Sequence, residues 1–193
     1  MKFFKQHSYD VTKLLIYQVG IAIFGLILTF ATARMDPSLK SPLTLIVSIF
    51  SVLFYLFLVY TVMWEIGSQD RIRVDAGRMD RDPLKGLKLS LLAQVPAFLL
   101  AFFLWLGAIG LTVGGGFAKA TGFLYGISLP LMEFLDAMYL GIIMRVFAAE
   151  TYLINALLFT VVSIPAIAVC TAGYLLGYAD IRFLASPPKQ DNR

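Results

Sequence analysis

The chain has 193 residues, 59% hydrophobic and 15% charged, with a mean hydropathy of +0.80 and a net charge of +4. Soluble domains carry about a quarter charged residues, so this composition excludes an ordinary soluble protein. It indicates an all-α integral membrane protein, a single helical domain over residues 1–193 built of spans of roughly 20 apolar residues. One cysteine and one histidine, Cys170 and His7, exclude an intramolecular disulfide, a cysteine cluster and a two-histidine metal site within the chain. No metal and no cofactor is expected.

In chain order, Lys2, Lys5 and Lys13 precede a charge-free run from Leu14 to Ala33. That run is too long for a signal-peptide core and lacks a small-residue cleavage site, so it predicts an uncleaved first span, with Phe3 and Phe4 as an interfacial foot. Ser41 to Trp64 is the second span, opened by Pro42 and closed by Trp64 at the interface. The polar stretch 67–88, GSQDRIRVDAGRMDRDPLKGLK, follows as a charged loop. Leu89 to about Val113 is the third span, with Pro96 inside it and Gly114, Gly115 and Gly116 breaking it as an exterior turn. Thr151 to Ala179 is the last, with Pro165 near its middle, and 180–193 is a polar tail. Prolines are tolerated in such helices because neighbouring helices or water satisfy the freed carbonyls.

The positive-inside rule puts the N-terminus and the six Lys and Arg between Arg71 and Lys88 in the cytoplasm. The stretch FLYGISLPLMEFLDAMYLGIIMRVF, Phe123 to Phe147, is then decisive. If it dips into the membrane and returns, twelve Lys and Arg are inside and four outside; if it crosses, ten are inside and six outside. The rule favours four full spans plus a re-entrant segment with a cytoplasmic C-terminus; five spans is the alternative. Gly126, Ser128 and Pro130 predict the break, and Glu133 and Asp136 then fall in the first turns of a new helix, where carboxylates suit the dipole.

Intramembrane acids mark functional sites. Glu133 and Asp136, three apart, share a helix face and could bind a cation or relay a proton. Arg145, Gln18, Gln94 and Asn155 complete a candidate substrate or ion path; the amides also suit interhelical hydrogen bonding. In the charged loop, Asp70, Arg71, Arg73, Arg78 and Arg81 are candidates for docking a cytoplasmic or membrane protein partner, or lipid headgroups. With Asp75, Asp80 and Asp82 included, the charges of this stretch nearly cancel, which speaks against nucleic acid. Gly173 and Gly177, four apart, predict close helix packing. No phosphate-binding loop, HExxH or GxSxG motif occurs.

RDPLKGLKLSLLAQVPAF, DAMYLG and AGYLLGYADI resemble segments of small multi-pass membrane proteins of Gram-positive bacteria. The resemblance implies a bacterial cytoplasmic membrane and no particular activity. The expectation is a non-enzymatic membrane subunit, accessory or small carrier. Transport of protons or cations through the carboxylates is the alternative, and an enzyme acting on a lipid-linked substrate the third.

Overall fold

The computed structural model describes residues 8–35, 42–146 and 151–181. The interfacial foot at Phe3 and Phe4, His7, Lys40 and tail residues 182–193 lie outside the described residues. The elements are α1 (Ser8–Met35), α2 (Pro42–Asp75), α3 (Lys85–Ala93), α4 (Val95–Val113), α5 (Gly115–Leu135), a 3₁₀ turn (Ala137–Tyr139), α6 (Leu140–Val146), α7 (Tyr152–Val161) and α8 (Ser163–Tyr178). Four helical stretches are long and apolar enough to cross a membrane: Ser8–Thr32, Pro42–Asp75, Val95–Val113 and the α7–α8 rod Tyr152–Tyr178. α5 and the segment after it form a fifth, bent by 79°. Large apolar side chains such as Phe30, Phe50, Leu53, Phe102 and Ile164 point outward, as a lipid-facing surface requires. The chain is an α-helical multi-pass membrane protein.

Prolines and glycines punctuate this layout. Pro42 opens α2, and Pro96 lies in the first turn of α4, because the third apolar run is interrupted at Gln94. Pro96 thus sits at a helix start, where its missing N–H is one of the groups no helix satisfies. Pro165 likewise falls in the first turn of α8, after a break at Val162. α4 turns into α5 through Gly114 alone, whose φ of +81° lies in the region open to glycine, followed by Gly115 at +67°. Within the spans, Ser51, Thr61, Thr112, Thr121, Thr160 and Thr171 each donate to the carbonyl four residues back, which satisfies their hydroxyls without a partner helix.

The packing registers fix the course of the chain. Phe24 meets the Phe54 ring at 5.8 Å and Lys13 Nζ lies 3.2 Å from Glu65 Oε2, so α1 and α2 run antiparallel. A Cβ on Gly173 would lie 2.9 Å from the Tyr60 carbonyl oxygen, and one on Gly177 would overlap the Trp64 carbonyl. α2 and α8 therefore run in the same direction with their backbones nearly touching. Gly110 faces Thr121 and Gly107 faces Tyr125, so α4 and α5 form an antiparallel hairpin. Trp105 Nε1 donates to Thr160 Oγ1 at 3.0 Å and seats α7 against α4.

Because α2 and α8 are parallel, the chain between them must make a net single crossing. α3 and α4 together make it. What remains, α5 to α6, must begin and end on the same side, and the contacts agree: Gly25, about halfway along α1, faces Met138, while Gly141 lies against Thr44 and Ser48 near the start of α2. Residues 123–146 thus run to the level of the middle of α1 and turn back toward the start of α2; Phe147 lies outside the described residues. Arg71 Nη1 lies 3.4 Å from Asp180 Oδ2 and Trp64 Nε1 donates to the Ile181 carbonyl at 2.9 Å, so the end of α8 sits at the charged end of the molecule with the connection 76–84.

The break itself is not where the sequence puts it. α5 runs unbroken through Gly126, Ser128 and Pro130 to Leu135, and the bend falls at Asp136. Proline removes one N–H, a loss a packed membrane helix absorbs. Bending at Asp136 is stabilised from outside: Gly25 lets the backbone of Met138 approach, and the hydroxyl of Ser48 accepts the freed Gly141 N–H at 2.9 Å. The 3₁₀ turn is covered, with Ala137, Met138 and Tyr139 all buried, which is what irregular backbone at membrane depth demands.

Candidate functional site

Two groups of polar side chains are buried, one at mid-depth and one at the charged end. The first surrounds Asp136. This residue caps α5 with φ −104° and ψ 24°, so it leaves the helical path and its carboxylate turns inward, 3% exposed. Tyr139 of the 3₁₀ turn and Tyr55 of α2 lie close to it, and Tyr55 in turn meets Cys170 of α8 and Gln94 at the α3–α4 break. Asp136 Oδ2, Tyr139 Oη and Gln94 Oε1 are buried without a hydrogen-bond partner among the described residues. Unpaired polar atoms so buried cost about 1–3 kcal/mol each, which makes this group the candidate site.

Glu133, the expected companion, is separated from Asp136 by the bend. It occupies the last turn of α5, half-buried, while Asp136 is enclosed. The shared face that helical spacing predicts ends where the helix ends. Arg145 lies in α6, and its side chain falls outside the described residues. Gln18 is buried in α1. Asn155 of α7 donates to Tyr125 Oη at 3.3 Å, beside the edge-to-face pair Tyr125 and Tyr152 at 5.2 Å. It ties α7 to α5, the interhelical role of a membrane amide. Of the sequence candidates, Gln94 alone is linked to Asp136 among the described residues, and only by way of Tyr55. Tyr55 and Tyr139, which complete the group, carry no motif in the sequence.

The second group lies at the charged end, about 22 Å along α2 from Tyr55 by helical rise. α2 extends past the apolar run to Asp75 and α3 starts at Lys85, so the charged loop contracts to residues 76–84. Asp70, read from sequence as a docking residue, is fully buried and cannot touch a partner. Lys85 Nζ donates to its Oδ2 at 2.6 Å, Tyr174 Oη to the same oxygen at 3.2 Å, and Arg73 Nη1 to Oδ1 at 3.3 Å. Gly67 and Gly86 admit Tyr174: a Cβ on Gly86 would lie 2.6 Å from that tyrosine's Cβ, and one on Gly67 would overlap its carbonyl oxygen. Arg71 pairs with Asp75 and Asp180, Lys88 pairs with Asp82 at 2.6 Å, and the Arg81 guanidinium lies 5.2 Å over the Tyr178 ring. Arg73, Arg78 and Arg81 are exposed. This end is a clamp joining α2, α3 and α8, with arginines on its outer face.

Among the described residues no three His, Cys, Asp or Glu side chains group to hold a metal ion. No family model, curated protein or solved structure matches the chain.

Proposed function

We propose that the protein is a small non-enzymatic carrier of a bacterial cytoplasmic membrane, moving a proton or a monovalent cation by way of Asp136. The observation that supports this reading is an enclosed carboxylate at the tip of a re-entrant segment, with an oxygen left unpaired. Acids at such depth are costly and are associated with ion and proton pathways. Broken helices that line transport sites use the same architecture. The clamp around Asp70 keeps α2, α3 and α8 together, and the α4–α5 hairpin, held to α7 by Trp105 and Asn155, leaves helical geometry at Gln94 and Asp136.

Reconstitution in liposomes tests it. Wild type is expected to dissipate an imposed pH or cation gradient, Asp136→Asn to lose this, and Glu133→Gln to retain most of it. A wild type no faster than protein-free vesicles removes the reading.

A second reading, a subunit of a larger membrane assembly, is supported by the exposed Arg73, Arg78 and Arg81 beside the rigid clamp. It predicts a partner that co-purifies in mild detergent and is lost when Arg78 and Arg81 are both changed to Glu.

A further inference from the structure

We infer that the species held at Asp136 is a proton, so that in the enclosed state the carboxyl is neutral and serves as a hydrogen-bond donor. The inference rests on the carrier reading for what release accomplishes, but not for what is bound. The described side chains that face the group are neutral, Tyr55 from α2 and Tyr139 from the 3₁₀ turn, and behind Tyr55 stand Cys170 of α8 and Gln94 of the α3–α4 break; α6, which continues from the turn, carries Arg145, whose side chain lies outside the described residues. α1 brings Gly25 against the turn, and its run from Leu14 to Ala33 is free of charged residues. On α5 itself the nearest titratable group is Glu133, also an acid. Lys13, Lys85 and Arg73 sit at the charged end, engaged with Glu65 and Asp70. No described cation faces Asp136, and an isolated buried charge is neutralised rather than tolerated.

Donor and acceptor counts point the same way. With the carboxylate ionised, two of the three unpaired atoms, Asp136 Oδ2 and Gln94 Oε1, can only accept, and the Tyr139 hydroxyl is the single donor. One added proton removes the charge and turns one acceptor into a donor. A metal ion in the same place would find one carboxylate, an amide oxygen and a phenol, a thin set beside the six or more oxygens that hard cations take.

The test uses the full chain in nanodiscs and infrared difference spectroscopy, reading the C=O stretch of protonated carboxyl groups in H₂O and D₂O. The expected result is a band present at neutral pH, shifted in D₂O, absent in Asp136→Asn, moved in Asp136→Glu and kept in Glu133→Gln. It should be unchanged when choline is replaced by sodium or potassium. If Asp136→Asn does not fold, the Asp136→Glu band carries the assignment. A wild type with no such band, or one whose band disappears on adding sodium, overturns the inference in favour of a cation site. The liposome assay separates the two claims: a protonated Asp136 with no flux defeats the carrier reading alone, and sodium-dependent flux without the band defeats the proton alone.

Discussion

Lys85 Nζ lies 2.6 Å from Asp70 Oδ2, with the aspartate fully buried and the lysine 3% exposed. The pair ties the first turn of α3 to α2, and Tyr174 extends the tie to α8. Burying two charges is costly in itself, and most of its effect on stability appears when one partner is removed. Lys85→Met alone is expected to destabilise the folded protein by about 3–5 kcal/mol. Lys85→Met combined with Asp70→Leu should recover most of that, read as detergent-solubilised unfolding midpoints. A single variant with an unshifted midpoint would show that the pair is solvated.

The parallel approach of α2 and α8 depends on missing side chains. Gly177→Ala places a methyl group into the Trp64 carbonyl, and overpacking of this kind costs about 1–3 kcal/mol. Gly20→Ala, where nothing lies within 4 Å, is expected to be neutral by the same unfolding measurement. Equal effects at the two positions would contradict the packing of α8 on α2.

Ser48 satisfies the Gly141 N–H where the chain restarts after the bend. Ser48→Ala leaves that buried donor unpaired, at a cost of about 1–3 kcal/mol. Hydrogen exchange of the Gly141 amide should quicken with little change in the amides of α8; unchanged exchange would mean the bend does not lean on α2.

The re-entrant course predicts a labelling pattern. In a Cys170→Ala background, single cysteines at Ala76, Gly116 and Ile181, all exposed, should divide into Gly116 on one face of the membrane and the other two on the opposite face. With an impermeant maleimide on intact cells, Gly116→Cys alone should react. Reaction at Ile181→Cys together with Gly116→Cys would establish a fifth crossing.

The sequence by itself determined how many apolar segments there are and where they lie, because burying charge in hydrocarbon is so costly that charge-free runs delimit them. The Gly173 and Gly177 spacing was legible as a close-packing face because residues four apart share one side of a helix and glycine has no side chain to hold a neighbour off. Even the return of the Phe123–Phe147 stretch could be weighed from a count of Lys and Arg.

Only the tertiary structure decided where that stretch bends. Pro130 and Gly126 are the local breakers, yet the helix passes through both and turns at Asp136, because Gly25 and Ser48 on two other helices accept the backbone there. Asp70 and Lys85 were equally hidden. In a run of alternating charges nothing distinguishes the buried pair from the solvated ones until Gly67, Gly86 and Tyr174 enclose it. Hydropathy acts residue by residue and can be read along a chain. The partner of a buried polar atom belongs to another helix, so the site at Asp136 exists only once the helices have packed.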